Sequence, residues 1–160
     1  MVSGDPYRLL DVLSSRDVPF VVIGGHAVTY HGYVRATEDI DVVFQRTPES
    51  ELQLLAALSE VNACWIGDEI DPETGIERLT PVWLPYIRAS RLMMLVTELG
   101  FVDLFDYIPG LPNEPVQRLF DTAVEQGRHK YASLHWLRAM KTAADRPQDR
   151  IDLENLPDEP

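Results

Sequence analysis

Asp39 and Asp41 flank Ile40 in the apolar stretch EDIDVVF, and Asp103 stands between Val102 and Leu104 in GFVDLFDY. If EDIDVVF is a strand, its side chains alternate, so the two aspartates share one face with Val43 while Ile40, Val42 and Phe44 share the other. Their α-carbons are then roughly 7 Å apart, and their oxygens can converge further. At about 4 Å and an effective dielectric of about 20, two such charges repel by about 4 kcal/mol. That is large against a net fold stability of about 5–15 kcal/mol. Protonation, an arginine partner or a divalent cation would each relieve it. Asp103 lies in a second predicted strand that can run beside the first. Three inward carboxylates make a hard-oxygen site suited to Mg²⁺ or Mn²⁺ together with phosphate oxygens. Two such ions about 4 Å apart can hold the attacking and leaving oxygens of a phosphoryl or nucleotidyl displacement.

Gly24 and Gly25 end the apolar run PFVVIGG and precede a short helical stretch, HAVTYHG. Backbone at such a turn can approach a phosphate with free N–H groups facing it. A glycine pair alone marks a turn, and Asp-x-Asp alone also occurs on exposed edge strands. The order of the two is what makes the pattern specific. His31 reads as a helix-end or packing residue, and Arg35 as a neutraliser of the acids ahead of a phosphate contact. Trp65, Trp83 and Trp136 are assigned to the core, and TPVWLPYI to a base or acceptor pocket.

The elements that must position these residues follow from pattern. Asp5 and Pro6 open a helix with Leu9, Leu10 and Leu13 on one stripe. Thr47 and Pro48 open another, with Leu52, Leu55, Ala56 and Leu58 expected inside. ACWI is a short strand, residues 67–80 a loop or hairpin tip, and RLMMLVTELGFVDLFDYI two strands joined at ELG. Helices are expected at about 115–126, 134–144 and 148–156, with Ser133 and Pro147 marking the last two starts. The fold class is α/β (α+β): a small mixed sheet flanked by helices, with a helical C-terminal part. The chain reads as a single domain over 1–160, with its core at about 6–108 and the helical part at about 115–156.

The composition, with 45% apolar and 25% charged residues, is that of a globular domain. The sequence shows no spanning apolar run and no basic-then-apolar leader, so the expected location is the cytoplasm, without membrane contact. Cys64, the only cysteine, excludes an internal disulfide and a multi-cysteine metal site; it reads as a small buried hydrophobe. A net charge of -12 argues against a general nucleic-acid coat protein. Residues 128–150 nevertheless carry six bases against two acids, a +4 segment. It is either a solvated mixed-charge surface or a face toward a phosphate-bearing ligand.

Together these residues resemble the nucleotidyltransferase superfamily related to DNA polymerase beta. The resemblance rests on Gly24 and Gly25, then Asp39 and Asp41, then Asp103. It is closer to small bacterial members that include nucleotidyltransferase toxins of the abortive-infection type. The pattern GG-A…HG…R-T-DID is present through Gly24, Gly25, Ala27, His31, Gly32, Arg35 and Thr37, and LG-VDL spans Leu99 to Leu104. Residues 133–153, SLHWLRAMKTAADRPQDRIDL, are similar to the C-terminal pattern. The likeness spans about residues 6 to 156.

The resemblance implies a nucleotidyltransferase fold and Mg²⁺- or Mn²⁺-dependent transfer of a nucleoside monophosphate from a nucleoside triphosphate to an acceptor hydroxyl. The acceptor would be an RNA or transfer-RNA end, a protein or a small molecule; in the toxin case an antitoxin partner is implied. Asp39 and Asp41 would bind both metals, and Asp103 would complete the site and help activate the acceptor. Gly24 and Gly25 would cradle the triphosphate, with Arg35 and Thr37 in the nucleotide-binding set. Lys141 would face the phosphates as a catalytic and binding residue. Arg146 and Asp149 match a late motif whose role is either catalytic or an ion pair closing the helical part. Two positions depart from the superfamily pattern: Gly25 where many members have Ser, and Gln148 where Lys is usual. The alternative is a nucleotide-binding protein of the same fold without chemistry.

Overall fold

The computed structural model describes residues 4–159, so the outermost ends of the expected domain lie outside it. Helix α1 (Pro6–Ser15) begins where Asp5 accepts a hydrogen bond from the Arg8 amide, 3.1 Å, and buries Leu9, Leu10 and Leu13. Strand β1 (Phe20–Ile23) runs directly into α2 (Gly24–Tyr30), so the glycine pair forms the first turn of that helix. Strand β2 (Ile40–Phe44) follows, and α3 (Pro48–Glu60) starts on a reciprocal cap between Thr47 and Ser50. Next come β3 (Cys64–Ile70), β4 (Glu77–Pro81), α4 (Leu84–Ala89), β5 (Leu92–Thr97) and β6 (Gly100–Phe105). The chain continues with α5 (Val116–Asp121), β7 (Val124–Gln126), β8 (His129–Tyr131), α6 (Leu134–Ala144) and α7 (Pro147–Asn155).

The eight strands form one mixed sheet in the order β4-β3-β5-β6-β2-β1-β8-β7. Strand β2 sits between β1, which is antiparallel to it, and β6, which is parallel. The alternation expected for β2 is realised on two faces. Ile40, Val42 and Phe44 join the larger core with Val22, Met93, Leu95 and Leu104. Val43 faces a smaller core with Val21, Ile23, Ile108, Leu119, Trp136 and Met140. The mixed α+β class expected from the sequence is thus observed.

Four local expectations are corrected. On α3 the buried stripe is Leu54, Ala57 and Leu58, while Leu52 is 54% exposed. The helix is rotated because Glu51 turns inward to meet the Arg46 guanidinium at 2.8 Å, and Arg46 also binds Asp106 at 2.8 Å. The helix expected over 115–126 stops at Asp121; Gly127, with φ +60°, turns a β7–β8 hairpin. That hairpin extends the sheet, with Val22 beside Tyr131 and the Ala132 amide donating to the Val22 carbonyl at 2.9 Å. TPVWLPYI contains α4, and Trp83 before it is 59% exposed rather than in the core. Trp65 stacks on Tyr86 at 4.1 Å, and Trp136 is buried. Cys64 is half-buried and free.

Candidate active site

The parallel register of β2 and β6 sets Asp41 directly beside Asp103. Burial pushes the Asp41 carboxyl up to about 7, reinforced by the Asp103 charge, a hydrogen bond to Asp103 and the Asp39 charge, against a smaller pull from Lys141. Burial and Asp39 also raise Asp103, while the hydrogen bond from Asp41 holds it down. Asp41 therefore holds a proton toward neutral pH more readily than an ordinary aspartate, and the two carboxyls ionise in competition with each other. The repulsion foreseen between Asp39 and Asp41 has its strongest expression between Asp41 and Asp103 instead. Asp39 lies one residue before β2 and is exposed.

Among the described residues no group of three or more His, Cys, Asp or Glu side chains is arranged to hold a metal ion. The Asp41–Asp103 pair nonetheless has the donor chemistry for a hard divalent cation, which would take the place of the Asp41 proton. The tertiary structure brings Asp41 and Asp103 into contact and leaves Asp39 at the rim.

Gly24 backs onto this pair. It has φ +67°, a left-handed conformation that favours glycine, and a Cβ there would run into the Asp41 carboxylate. A Cβ on Gly25 would lie 2.5 Å from Thr37 Oγ1 and 3.2 Å from Arg35 Nη1. Thr37 and Arg35 therefore pack against the glycine pair, and a serine at position 25 has no room beside them.

Two recesses share Asp41 in their lining. One of about 390 Å³ is lined by Gly24, Asp41, Asp103, Phe105, Lys141 and Arg146 among others. The other, of about 380 Å³, reaches Gly25, Arg35, Thr37, Asp39, Asp41 and Lys141. Lys141 thus lines both, but its ammonium group is held. Nζ lies 3.1 Å from Asp149 Oδ1 and 3.0 Å from Asp152 Oδ2, with all three side chains at most 8% exposed. Arg35 binds Asp152 through two nitrogens, at 2.7 and 2.9 Å. The acid Arg35 neutralises is therefore Asp152, on α7, and not the β2 aspartates. Arg146 closes the same network: Nε lies 2.8 Å from Asp149 Oδ2, whose oxygen also accepts from the Arg146 amide at 3.0 Å. The Asp149–arginine ion pair weighed from the sequence is present, as the N-terminal cap of α7.

Asp152 was not singled out in the sequence. A signal was available: Asp149 and Asp152 are three apart on a helix and so share a face. Burial opposes ionisation of both. Arg146 and Lys141 for Asp149, and Arg35, Gln148 and Lys141 for Asp152, overcome it and hold both carboxyls below their ordinary range. The +4 segment is largely consumed internally, since Arg150 also pairs with Asp145 at 2.7 Å. His31 caps α2, its Nε2–H donating to the Ala132 carbonyl at 2.8 Å, a helix-end role as expected. No helix among the described residues is long and apolar enough to cross a membrane.

No family model matches the sequence. No curated protein matches it either. Among solved structures, JHP933 from Helicobacter pylori is similar over 94% of this chain and 66% of its own, at 16% identity and a TM-score of 0.48. A structure described as a "putative nucleotidyltransferase from H. pylori" is similar over 84% of this chain and 55% of its own, at 16% identity and a TM-score of 0.40. This chain therefore spans no more than 66% of the length of either. Likenesses at TM-scores below 0.5 carry no argument about its activity.

Proposed function

We propose that this chain is a nucleotidyltransferase that moves a nucleoside monophosphate from a nucleoside triphosphate to an acceptor hydroxyl. The observation that carries the reading is the adjacent Asp41–Asp103 pair with a glycine turn packed against it. Two half-buried carboxylates side by side are costly to a fold, and the half-buried Gly24 lines the recess beside them. Asp41, Asp103 and Asp39 would hold Mg²⁺ or Mn²⁺, whose bound charge offsets that of the triphosphate. The chain's own residues supply position. Gly24 and Gly25 present N–H groups to the phosphates, and Thr37 and Arg35 brace them. Asp103 would accept the acceptor hydroxyl's proton. Lys141, held by Asp149 and Asp152, contributes a fixed positive charge beside Asp41. The acceptor class includes an RNA or transfer-RNA end, a protein or a small molecule. A toxin role with an antitoxin partner is one biological setting for such chemistry.

A second reading is a nucleotide-binding protein without turnover. It is favoured by the ion pairing of the cleft's bases: Arg35, Lys141 and Arg146 are each already engaged by Asp149 or Asp152.

The deciding experiment offers each of the four nucleoside triphosphates, labelled at the α-phosphate, with Mg²⁺, to total RNA and to cell extract. An Asp39→Asn/Asp41→Asn variant runs alongside. Label on an RNA or protein band with the wild type alone supports transfer and identifies the acceptor class. Mg²⁺-dependent nucleotide binding with no label transferred supports the second reading.

A further inference from the structure

A separate cleft of about 770 Å³ lies between α1, α2 and the β7–β8 hairpin, within the size range of small-molecule sites. Its walls include Tyr7, His26, Thr29, Tyr30, Gln126 and Tyr131, and among the described residues neither lysine nor arginine lines it. This contrasts with the carboxylate cleft, which holds Arg35, Lys141 and Arg146. A phosphate would find no cation here, so the group that fits is uncharged.

Two aromatic residues of the walls are stacked on each other. The Tyr30 and Tyr131 rings lie parallel, 4.4 Å apart and inclined by 11°. Tyr7 meets His26 edge-on at 6.3 Å. The other two histidines at the cleft are spoken for: His31 Nε2–H donates to the Ala132 carbonyl and His129 Nε2–H to Asp11, each at 2.8 Å. His26 Nε2 and Thr29 Oγ1 are different. Both atoms are buried and find no hydrogen-bond partner among the described residues. They lie three residues apart on α2 and so face the same way. Burial, then the Arg35 charge, lowers the His26 pKa, which keeps the imidazole neutral near pH 7. A neutral imidazole nitrogen and a hydroxyl together can either donate or accept.

A ligand that satisfies these features is planar and uncharged, has faces for tyrosine to stack on, and carries donors and acceptors along one edge. An unpaired nucleobase has all four properties. We propose that this cleft binds an unpaired nucleobase, stacked on the Tyr30–Tyr131 pair with its polar edge on His26 and Thr29. The site is distinct from the carboxylate cleft, and the proposal does not require that the chain transfer nucleotides. The base can come from a free nucleoside or from the end of a single strand.

The test titrates the four ribonucleosides, and separately single-stranded ribotetranucleotides, into the ¹⁵N-labelled chain without divalent cation. Binding is followed through histidine ring and backbone amide resonances. The variants are Thr29→Val, close to isosteric, Tyr30→Leu and Asp41→Asn, each first checked for a native amide spectrum. The expected result is saturable shifts at His26 and Thr29, weakened roughly tenfold by Thr29→Val and by Tyr30→Leu and unchanged by Asp41→Asn. Nucleosides that bind by themselves identify the free base as sufficient; tetranucleotides alone identify a strand end. No shift with either probe overturns the proposal. So does binding that ignores Thr29→Val and Tyr30→Leu, or that is lost in Asp41→Asn. Because the readout is binding without metal, failure of nucleotidyl transfer leaves this result untouched. Should Tyr30→Leu fail to fold, Tyr30→Phe, which keeps the ring, replaces it and is expected to leave binding intact, while Thr29→Val alone carries the expected weakening.

Discussion

Asp41 and Asp103 lie side by side on parallel strands, where burial and the Asp103 charge raise the Asp41 carboxyl to about 7. At neutral pH this arrangement costs the fold something that a cation or a neutral substitute would return. Asp41→Asn keeps a donor toward Asp103 and removes the charge. It is expected to raise stability by about 1–2 kcal/mol, a Tm gain of a few degrees, while abolishing nucleotidyl transfer. Addition of Mg²⁺ is expected to raise the Tm of the wild type and leave that of Asp41→Asn/Asp103→Asn unmoved. Thermal melts with and without Mg²⁺ check both; a full Mg²⁺ response in the double variant would place the cation elsewhere.

The glycine pair is constrained by neighbours and not only by its turn. Gly24→Ala must fit a Cβ against the Asp41 carboxylate at a left-handed φ, and is expected to cost about 1–3 kcal/mol. Gly25→Ala meets Thr37 instead, with Oγ1 2.5 Å and Cβ 2.9 Å from the added carbon. Part of its loss should return in Gly25→Ala/Thr37→Gly, which removes both clashing atoms. Denaturant melts of the two singles and the double measure this coupling; simple additivity would show that the two residues do not compete for the space.

Lys141, Arg35 and Asp152 form a clamp that ties α6 and the segment before β2 to α7. Asp152→Ala leaves Arg35 without its carboxylate and Lys141 with only Asp149. The expected cost is about 3–5 kcal/mol, the penalty for breaking a buried ion pair from one side, and a Tm loss on the order of 10 °C. Calorimetry or thermal melts settle it. A change of under 1 °C would mean that the clamp contributes nothing to stability.

The acid limb of the stability curve follows from the same clamp. Burial works against ionisation of Asp149 and Asp152, and the hydrogen bonds from Arg146, Arg35 and Lys141 overcome it, so both folded-state values lie below the unfolded ones. The folded chain then binds these protons less readily than the unfolded chain. The stabilisation is fully present above the unfolded carboxyl value, about 3.9, and is lost as pH falls through the depressed values. Tm measured from pH 6 downward should drop steeply below about pH 4. Asp149→Asn should start lower and fall less steeply. An equally steep limb in that variant would assign the acid transition to other carboxylates.

Much of what positions the site is written locally. The alternation of Asp39, Ile40, Asp41, Val42 and Val43 assigns faces because strand geometry repeats every two residues whatever the rest of the chain does. Asp5, Thr47 and Ser133 mark helix starts because a cap needs only the next three amides. The glycine pair announces its turn for the same reason. Other features depended on groups far apart in sequence. The partner of Arg35 is 117 residues away, and nothing in either segment alone names it. The inward turn of Glu51, which leaves Leu52 exposed, depends on Arg46 and the distant Asp106. The β7–β8 hairpin has short strands with weak local preference, and it takes its place because β1 offers an open edge. Pattern and caps act over one or two turns of chain, and those the sequence alone determined. Which acids lie side by side, and which bases are engaged by acids, were decided by long-range packing, because charges pair with whatever the fold brings within hydrogen-bonding distance.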